Sequence, residues 1–430
     1  MKRGLFFALG VVVAFSAALP IVAQEKEIYV PEELRDNDFN NPESQWSFSR
    51  LLKTPNIAIF WEKGFGDDLS NPPQLEEKPM DVDIKNLAEK LERFYNFYVD
   101  TLKFTKPGSK SEKYRMMVML RYSNEGTAYG GDYDNEIGAL WVAPNRLRDS
   151  TLNCVAHELG HSFQAQIGAD GAGESWGGAP IFETAAQWML WQVNPNWVHD
   201  EAYHWEQFKP LAHRAFLHFD NIYHAPYVLE SWGQRHGLPF MAELFREGKR
   251  GEDPVITYKR MNNMDQKAFN DEIFEDITHI LNMDYPRVWN ETRPYAATLS
   301  TPMETVEDGW MVPAEGKMPE NYGFNAAEVA IPRPGGEVIV EFEGITSGDY
   351  SIDDSSRLGW RYAFVAVDSD GKSIYAPMGS DAKATQKFKA PDGKPLQKLW
   401  FVVMGAPKDH KMNPRPKSPV PQFPYKVKFK

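Results

Sequence analysis

The chain has 430 residues, of which 42% are hydrophobic, and it carries a formal net charge of −13. That much apolar sequence is enough for two domains with their own cores, and the acidic balance argues against nucleic acid or an anionic membrane as the main partner. The single cysteine, Cys154, excludes an intramolecular disulfide. Because it stands between apolar residues, we expect a small buried core residue rather than a catalytic thiol.

The first 23 residues have the pattern of a secretory signal peptide. Lys2 and Arg3 precede an apolar run from Leu5 to Leu19, and the small residue Ala23 stands at the expected cleavage point. The run is shorter than a membrane span, and no other stretch reaches the roughly 18 consecutive apolar residues that a span requires. We therefore expect a secreted or periplasmic protein with no membrane span in the mature chain. An uncleaved anchor is the alternative.

The next part of the chain predicts a lead-in followed by alternating strands and a helix. Residues 24–50 are polar and are expected to be loosely attached. Strands are expected at Asn56–Trp61, Tyr114–Arg121 and Gly138–Ala143, with a helix at Val82–Leu102. If the last of these strands is an edge, it can pair with extended substrate backbone. An interior position is the alternative.

An acidic stretch, Asp132-Tyr-Asp134-Asn-Glu136, alternates carboxylates close to a pair of glycines. Carboxylate oxygens are ligands that Ca²⁺ prefers, but the complete EF-hand pattern is missing. Two interpretations therefore stand, a Ca²⁺ site and a solvated acidic loop, and the incomplete pattern favours the loop.

The segment His157-Glu158-Leu-Gly-His161 has the HExxH pattern. Residues four apart lie on one face of an α-helix, so both imidazoles can bind one Zn²⁺ while Glu158 faces the water bound to it. The stretch Thr151–Gln166 suits such a helix, because it has an apolar stripe and no proline. We predict one zinc ion on His157 and His161, with Glu158 as the general base. A helix with two surface histidines is the alternative.

A catalytic zinc needs a third protein ligand and one open position. The metzincin pattern is absent, because Gln164 and Ile167 stand where it requires glycine and histidine. Glu183, 22 residues after His161, starts a helix that is otherwise apolar nearly all round. Since a buried carboxylate needs a partner, we predict Glu183 as the third ligand. A helix-capping role for Glu183, and Glu174 as a competing ligand, are the alternatives.

Through the HExxH motif and Glu183 the chain resembles gluzincin-type zinc metallopeptidases. More closely, His157–Gln164 together with Glu183–Trp188 is similar to a family of secreted zincin-like proteins of unknown function, in which a zincin-like domain precedes a β-sandwich. The resemblance covers most of the mature chain and implies a peptidase-like site, although only the metal motif carries residue roles. Thermolysin-like gluzincins have an aspartate where this chain has Gln187. Gln187 can still accept a hydrogen bond from His157, but it raises ligand basicity less than a carboxylate.

The chain after Glu183 predicts an aromatic-rich helical lobe that ends near residue 290. Amide hydrolysis passes through an oxyanion, which a neutral tyrosine or a protonated histidine can stabilise. Tyr223, His224 and Tyr227 are the candidates, because Ala225-Pro226 interrupts the helical pattern and can aim these side chains into a cleft. Ordinary aromatic packing is the alternative for each.

From residue 325 the pattern changes to short alternating runs split by Pro-Gly-Gly and Asp-Gly turns, which is typical of a β-sandwich. Residues 291–324 are expected to be a connector. An exposed Trp360 on one sandwich face would support contact with a glycan, whereas a core position is the alternative. The expected strands are Asn325–Ile331, Glu337–Phe342, Trp360–Asp368, Ser373–Ala376, Thr385–Lys389, Leu399–Met404 and Tyr425–Phe429.

Together these patterns predict an α+β protein with a zincin-like domain at 51–290 and a β-sandwich at 325–430. The function expected is that of an exported zinc-dependent metallohydrolase, a peptidase that acts on peptides, proteins or glycoproteins. The rival hypothesis is a secreted glycan- or protein-binding protein in which the zincin lobe is a non-catalytic scaffold.

Overall fold

The computed structural model describes residues 25–173, 176–417 and 419–430. It confirms the α+β class, because the described residues form helices and three separate sheets. The expected signal peptide at 1–23 and the competing ligand Glu174 lie outside the described residues. None of the helices in the described ranges combines the length and apolar character that crossing a membrane would require.

The first sheet has five strands, in the order β1-β2-β3-β5-β4. Strands β2, β3 and β5 run parallel, while β1 and β4 pair antiparallel at the two edges. Strands β2 and β3 are buried almost throughout, which explains why both read as continuous apolar runs. The strands are β1 Leu51–Lys53, β2 Ile57–Trp61, β3 Met116–Leu120, β4 Ala128–Tyr133 and β5 Ile137–Val142.

Two long helices, α1 Ile84–Asp100 and α2 Asn153–Ala169, pack against this sheet and against each other. Asp83 caps α1 by accepting a hydrogen bond from the Asn86 N–H. The Tyr98 hydroxyl donates to the Ala156 carbonyl at 2.9 Å and ties α1 to α2. The HExxH motif therefore lies on a helix whose position is set by the sheet.

The segment before β1 is firmly packed, which corrects the expectation of a loosely attached lead-in. The ring of Phe39 lies 5.6 Å from that of Phe60 in β2. Arg50 is only 3% exposed, and its guanidinium donates to the carbonyls of Pro42, at 2.6 Å, and Gln45, at 3.1 Å. The segment is mainly polar and still packs firmly, because the buried Arg50 side chain donates to several of its backbone carbonyls.

The candidate substrate strand Gly138–Ala143 is not an edge. It corresponds to β5, which lies between β3 and β4, so the interior alternative is correct. The edge beside α2 is β4, which pairs antiparallel with β5 from Ala128↔Val142 to Tyr133↔Ile137.

Within the described residues, eight further α-helices form a helical lobe, which contacts α2 through α3 and α7. The first of them, α3, is buried nearly all round, as its apolar sequence predicts. The helices are α3 Ile181–Val193, α4 Trp197–Asp200, α5 Tyr203–Phe208, α6 Tyr227–His236, α7 Phe240–Glu247, α8 Pro254–Met261, α9 Gln266–Ile280 and α10 Trp289–Thr292.

The C-terminal part contains two antiparallel sheets, with the strand orders β11-β10-β13-β8 and β12-β9-β14-β7-β6. Side chains of both sheets meet in one apolar core, where Phe342 stacks on Tyr362 with ring centres 4.1 Å apart. Two of the strands lie within the expected connector, so the sandwich begins earlier than residue 325. The strands are β6 Met303–Thr305, β7 Met311–Pro313, β8 Phe324–Glu328, β9 Glu337–Gly344, β10 Trp360–Asp368, β11 Ser373–Tyr375, β12 Lys383–Lys389, β13 Leu396–Gly405 and β14 Tyr425–Phe429.

Strand β10 is buried along its whole length. One of its faces packs on the sheet that contains β9 and β14, and the other face packs on the helical lobe. Val365 and Val367 of β10 belong to the same apolar core as the helices. Trp360 is 2% exposed, and its indole N–H donates to the Phe423 carbonyl at 3.1 Å. Trp360 is therefore a core residue and is not available for stacking against a glycan.

We predict that Arg50→Ala lowers the free energy of unfolding by about 2–3 kcal/mol, since several backbone carbonyls lose their donor and a buried side chain is removed. The thermal unfolding midpoint measures the effect. Arg35→Ala is the matched control, because Arg35 pairs with Glu32 in an exposed position, where an ion pair contributes about 0–1 kcal/mol. Equal midpoints for the two variants would contradict the assigned role of Arg50.

Candidate metal centre

Three side chains from two helices converge on one point. His157 and His161 stand one turn apart on α2, and Glu183 stands in the first turn of α3. Each pair among His157 Nε2, His161 Nε2 and Glu183 Oε2 is separated by 3.1 Å. Among the residues that the structure describes, this is the only set of three His, Cys, Asp or Glu groups placed to hold a metal ion.

The geometry and chemistry of this set fit zinc. Tetrahedral bonds of about 2.0–2.1 Å place ligand atoms about 3.3–3.4 Å apart, close to the 3.1 Å separations observed. Two imidazoles and one carboxylate form a donor set found in catalytic zinc sites, which use three protein ligands.

Neighbouring amides fix the orientation of both histidine rings. Gln187 Oε1 lies 2.7 Å from His157 Nδ1, and Gln164 Oε1 lies 2.9 Å from His161 Nδ1. The Gln164 amide is itself oriented, because its Nε2 donates to the Phe182 carbonyl at 2.9 Å. With a metal ion bound, each ring would keep its proton on Nδ1 and present the Nε2 lone pair to the ion, which is the tautomer that a metal ligand needs.

Gln187 also links the centre to two further histidines. Its Nε2 lies 3.4 Å from His204 Nε2, and His204 Nδ1 lies 2.7 Å from His224 Nδ1. A chain of hydrogen-bonding groups therefore runs from His157 to His224. Gln187 is 3% exposed and His204 is 7% exposed, so packing restrains both side chains.

The electrostatics of the three groups favour a positive charge where they meet. Burial by itself would raise the pKa of Glu183, but hydrogen bonds with His157 and His161 hold it well below its usual range. Burial would lower the pKa of His161, but the carboxylates of Glu183 and Glu158 raise it above its ordinary value. Both shifts come mainly from the interaction between the Glu183 carboxylate and the histidine rings.

Glu158 lies between the centre and the edge strand β4. Its Oε2 accepts a hydrogen bond from the Gly130 N–H at 2.8 Å. A Cβ atom at Gly130 would lie 1.9 Å from the Glu158 carbonyl oxygen and 2.8 Å from His161 Cβ. Only glycine lets β4 come this close to α2, so Gly130 is what gives the edge strand its position beside the centre.

Tyr223 lies beside the centre, with its ring centre 5.9 Å from that of His157. Its side chain is 42% exposed. Burial and the charges of Glu183 and Glu158 raise the pKa of Tyr223 above its ordinary value. The hydroxyl is therefore protonated at neutral pH and can donate a hydrogen bond.

His224 also lines the cleft beside the centre. Burial and the charge of His204 lower the pKa of His224 to about 4. The ring is therefore neutral at neutral pH. The protonated histidine that was considered as an oxyanion donor is thus not present at this position. His224 can take part only as a neutral imidazole.

Tyr227 does not reach the cleft, which corrects its assignment as a candidate. It begins α6 immediately after Pro226 and is 1% exposed. Its ring packs in the aromatic core with Trp191, Trp205 and Phe208, at centre distances of 5.8, 5.4 and 5.0 Å. The Ala225-Pro226 break thus turns Tyr223 and His224 toward the cleft, while Tyr227 already belongs to the next helix.

Cys154 is only partly buried and lines the cleft, so it is not the core residue that its neighbours in sequence predict. Burial and the charge of Glu158 raise its pKa to about 12. The thiol is therefore protonated at neutral pH and is not an activated nucleophile.

A cleft passes the centre on both sides. Two adjoining pockets, of about 570 and 410 Å³, form it. One extends toward α5, and the other follows the edge strand from Ala128 to Asp132. Both pockets are lined by Ala128, His157, Glu158 and Tyr223.

The acidic stretch Asp132–Glu136 does not gather its carboxylates around one point. Asp134 accepts a hydrogen bond from the Tyr29 hydroxyl at 2.8 Å, and Glu136 forms an ion pair with Lys110 at 2.8 Å. Both carboxylates therefore form contacts that attach the loop to other parts of the protein.

Three residues of the site were not identified from the sequence. Gln164 could have been found, because it follows His161 by three positions and so lies on the same helix face. Gly130 could not, since the Gly-Gly pair in β4 hides the alternation of a strand. His204 reaches the site only through the packing of α5 in the helical lobe.

We predict that Gln187→Leu weakens zinc binding about 10–100-fold, because the His157 ring loses the acceptor that orients it. Gln187→Glu should strengthen binding, since a carboxylate makes the ligand more basic. Competition with a chromogenic chelator measures both. Gln207→Leu is the control, because Gln207 lines the same cleft. Unchanged affinity in a folded Gln187→Leu protein would refute the orienting role.

Comparison with known proteins places this arrangement in a family. No curated protein matches the chain. The sequence pattern of the group described as "Family of unknown function (DUF6055)" matches residues 20–430. Because that match covers nearly the whole chain, the protein belongs to the Family of unknown function (DUF6055).

Proposed function

We propose that the protein is an exported zinc-dependent metallohydrolase with a zincin-like domain of the gluzincin type. Its substrate class would be peptides, proteins or glycoproteins. The observation that carries the proposal is the convergence of His157, His161 and Glu183, with Glu158 beside them, in a cleft that continues on both sides.

His157, His161 and Glu183 would hold the zinc ion. When bound, zinc would lower the pKa of its water and polarise the scissile carbonyl. Glu158 takes the proton from the attacking water and delivers it to the leaving amine. The hydrogen bond from Gly130 keeps the Glu158 carboxylate on the cleft side of α2 while it does so.

Tyr223 is the better candidate for stabilising the oxyanion, because its hydroxyl is protonated, partly exposed and next to His157. Donors aimed at the developing charge lower the barrier most when they are held in place beforehand. His224 follows Tyr223 directly and would assist as a neutral group in contact with His204.

The edge strand β4 is the proposed binding element for substrate backbone. Because Gly130 directs its N–H away from β5 and toward Glu158, the backbone groups of alternate residues, Ala128 and Asp132, face the same way. An extended peptide could add to this edge as a further strand. The 410 Å³ pocket that follows β4 has room for its side chains.

Export is proposed from the basic and apolar pattern of the first 23 residues. The rival hypothesis, a binding protein with a non-catalytic scaffold, would be favoured by a fourth protein ligand or a closed cleft. The set of three ligands in the described residues and the open cleft support the hydrolase instead.

We predict that the wild-type protein binds one zinc ion and cleaves members of a mixed peptide library. Glu158→Gln should retain zinc and lose at least about 10³-fold in kcat/KM, since the general base is removed. Metal analysis and mass spectrometry of the library give the two readouts. Glu206→Gln, the same chemical change at an exposed carboxylate that does not line the cleft, should stay within about threefold of wild type.

The outcomes of that experiment separate the hypotheses. Zinc bound by both proteins with cleavage by neither would favour the binding protein or a narrow substrate. Wild-type protein without zinc, after purification in its presence, would refute the metal centre itself.

We predict that Tyr223→Phe lowers kcat about 10–1000-fold with little change in KM, because a donor that acts mainly in the transition state is lost. Zinc content should stay at the wild-type value. Tyr203→Phe is the matched control, since Tyr203 is an exposed tyrosine in the same cleft. Equal effects of the two substitutions would argue against a specific role for Tyr223.

A further inference from the structure

A segment of the C-terminal domain, residues 407–417, leaves strand β13 and lies on the helical lobe. We call it the strap. At its start, the Asn270 side chain in α9 donates to the Pro407 carbonyl at 2.9 Å. Near its end, the Phe219 N–H donates to the Pro416 carbonyl at 3.2 Å, and the Lys417 ammonium lies 4.7 Å from the Phe219 ring. The strap is therefore attached to the lobe at both ends.

The middle of the strap is fixed by one buried carboxylate, Asp253. Its Oδ2 accepts hydrogen bonds from His410 Nε2 at 2.8 Å and from the Asn413 N–H at 2.9 Å. Its Oδ1 caps α8 by accepting from the Ile256 N–H at 2.9 Å. The side chains of Asp253 and His410 are only 2% and 6% exposed. One carboxylate thus joins the strap to the start of a helix.

Helix α8 also contacts the segment 176–182, which directly precedes Glu183. Thr257 Oγ1 accepts from the indole N–H of Trp176 at 3.0 Å. The Trp176 ring packs edge-on against Phe182, the residue directly before Glu183, with ring centres 6.2 Å apart. A contiguous set of contacts therefore leads from the strap to the third candidate ligand.

The described stretches 171–173 and 176–180 are rich in glycine and have few local restraints, so their position depends on contacts from outside. Gly171, Gly173, Gly177 and Gly178 all have φ between +66° and +79°, a conformation that glycine adopts at the cost of entropy. The strap supplies part of that support. A Cβ atom at Gly178 would lie 2.7 Å from Arg415 Nη2, so the Arg415 side chain lies directly over the backbone at Gly178.

The C-terminal domain also holds the segment that leads to Tyr223. The Phe216 N–H donates to the Asn321 carbonyl at 2.9 Å, and the Ala215 N–H donates to Glu320 Oε2 at 2.8 Å. Together with the bond from Phe219 to the strap, these contacts fix the chain just before Tyr223 from two sides.

We infer that the strap is a positioning element for the candidate metal centre, holding the segments that deliver Glu183 and Tyr223. The C-terminal domain is then part of the site and not a separate binding module. This inference rests on the proposed function, because the groups whose position it controls are the ligand and the donor assigned there.

The test is His410→Ala in the full-length chain, with zinc affinity and amide hydrogen exchange as readouts. Loss of the bond to Asp253 should raise the zinc dissociation constant about tenfold. Exchange should accelerate about tenfold in segments 176–182 and 219–224, while strands β2 and β3 keep their wild-type rates. His410→Gln retains an N–H donor for Asp253 and should recover most of both effects.

Lys411→Ala is the matched control. Lys411 is the next residue of the strap, but its exposed ammonium pairs with Asp353 of the C-terminal domain at 2.6 Å and not with the helical lobe. Its zinc affinity and exchange rates should equal those of wild type. If His410→Ala does not fold, Arg415→Ala, which changes an exposed strap residue, replaces it in the same comparison.

Failure of the inference is distinct from failure of the proposed function. Wild-type zinc affinity and unchanged exchange in the His410→Ala protein would overturn the strap's role and leave the metal centre intact. Uniformly faster exchange over the whole chain would also overturn it, since it would indicate general destabilisation. If the wild-type protein binds no zinc, the proposed function falls, and the exchange pattern still decides whether the strap holds these segments.

Discussion

The close packing of α3 on α2 is the constraint on which the candidate centre depends. HExxH spacing alone brings two imidazoles together, but the third ligand lies on another helix. Gly160, inside the motif, faces Ala186, and a Cβ atom there would lie 3.3 Å from the Ala186 Cα. Two small residues at this crossing let the helix axes approach, and that approach brings Glu183 within 3.1 Å of both histidines. Larger side chains at the crossing would push the two helices apart and so increase the distances between Glu183 and the two histidines.

Amides, rather than carboxylates, support both histidines, and this choice affects the charge of the whole centre. Two neutral imidazoles and one carboxylate give the ligand set a single negative charge, so a divalent cation would leave the centre with a net positive charge. Carboxylates behind the rings would reduce that charge and with it the polarising power of the ion. Gln164 and Gln187 therefore orient the ligands without weakening the electrophile, and Glu158 remains the nearby carboxylate that is free to move a proton.

Local geometry explains which parts of the site could be predicted from the sequence. His157, Glu158 and His161 follow from the repeat of one helix, and Glu183 follows from an acidic residue in an otherwise apolar helix. The edge strand could not be found, because Gly130-Gly131 removes the side chains on which strand patterns depend. Tyr223 and Tyr227 look alike in sequence, and only the start of α6 separates a cleft residue from a core residue. The attachment of residues 25–50 was missed because a buried arginine has no apolar signature.

The sequence pattern suggests two domains, a zincin-like domain and a separate β-sandwich. The packing of the apolar cores does not follow this division. Strand β10 contributes one face to the sandwich core and the other to the core of the helical lobe. Arg361 in this strand pairs with Asp271 in α9 at 2.6 Å, and the strap adds Asp253 and His410 on the same side. Cutting the chain between the two parts would expose an apolar sheet face and leave buried charges without partners, at a cost of several kcal/mol. The C-terminal domain therefore belongs to the folding unit that holds Glu183 in place, and the candidate centre is linked by contacts to residues more than 200 positions away in the sequence.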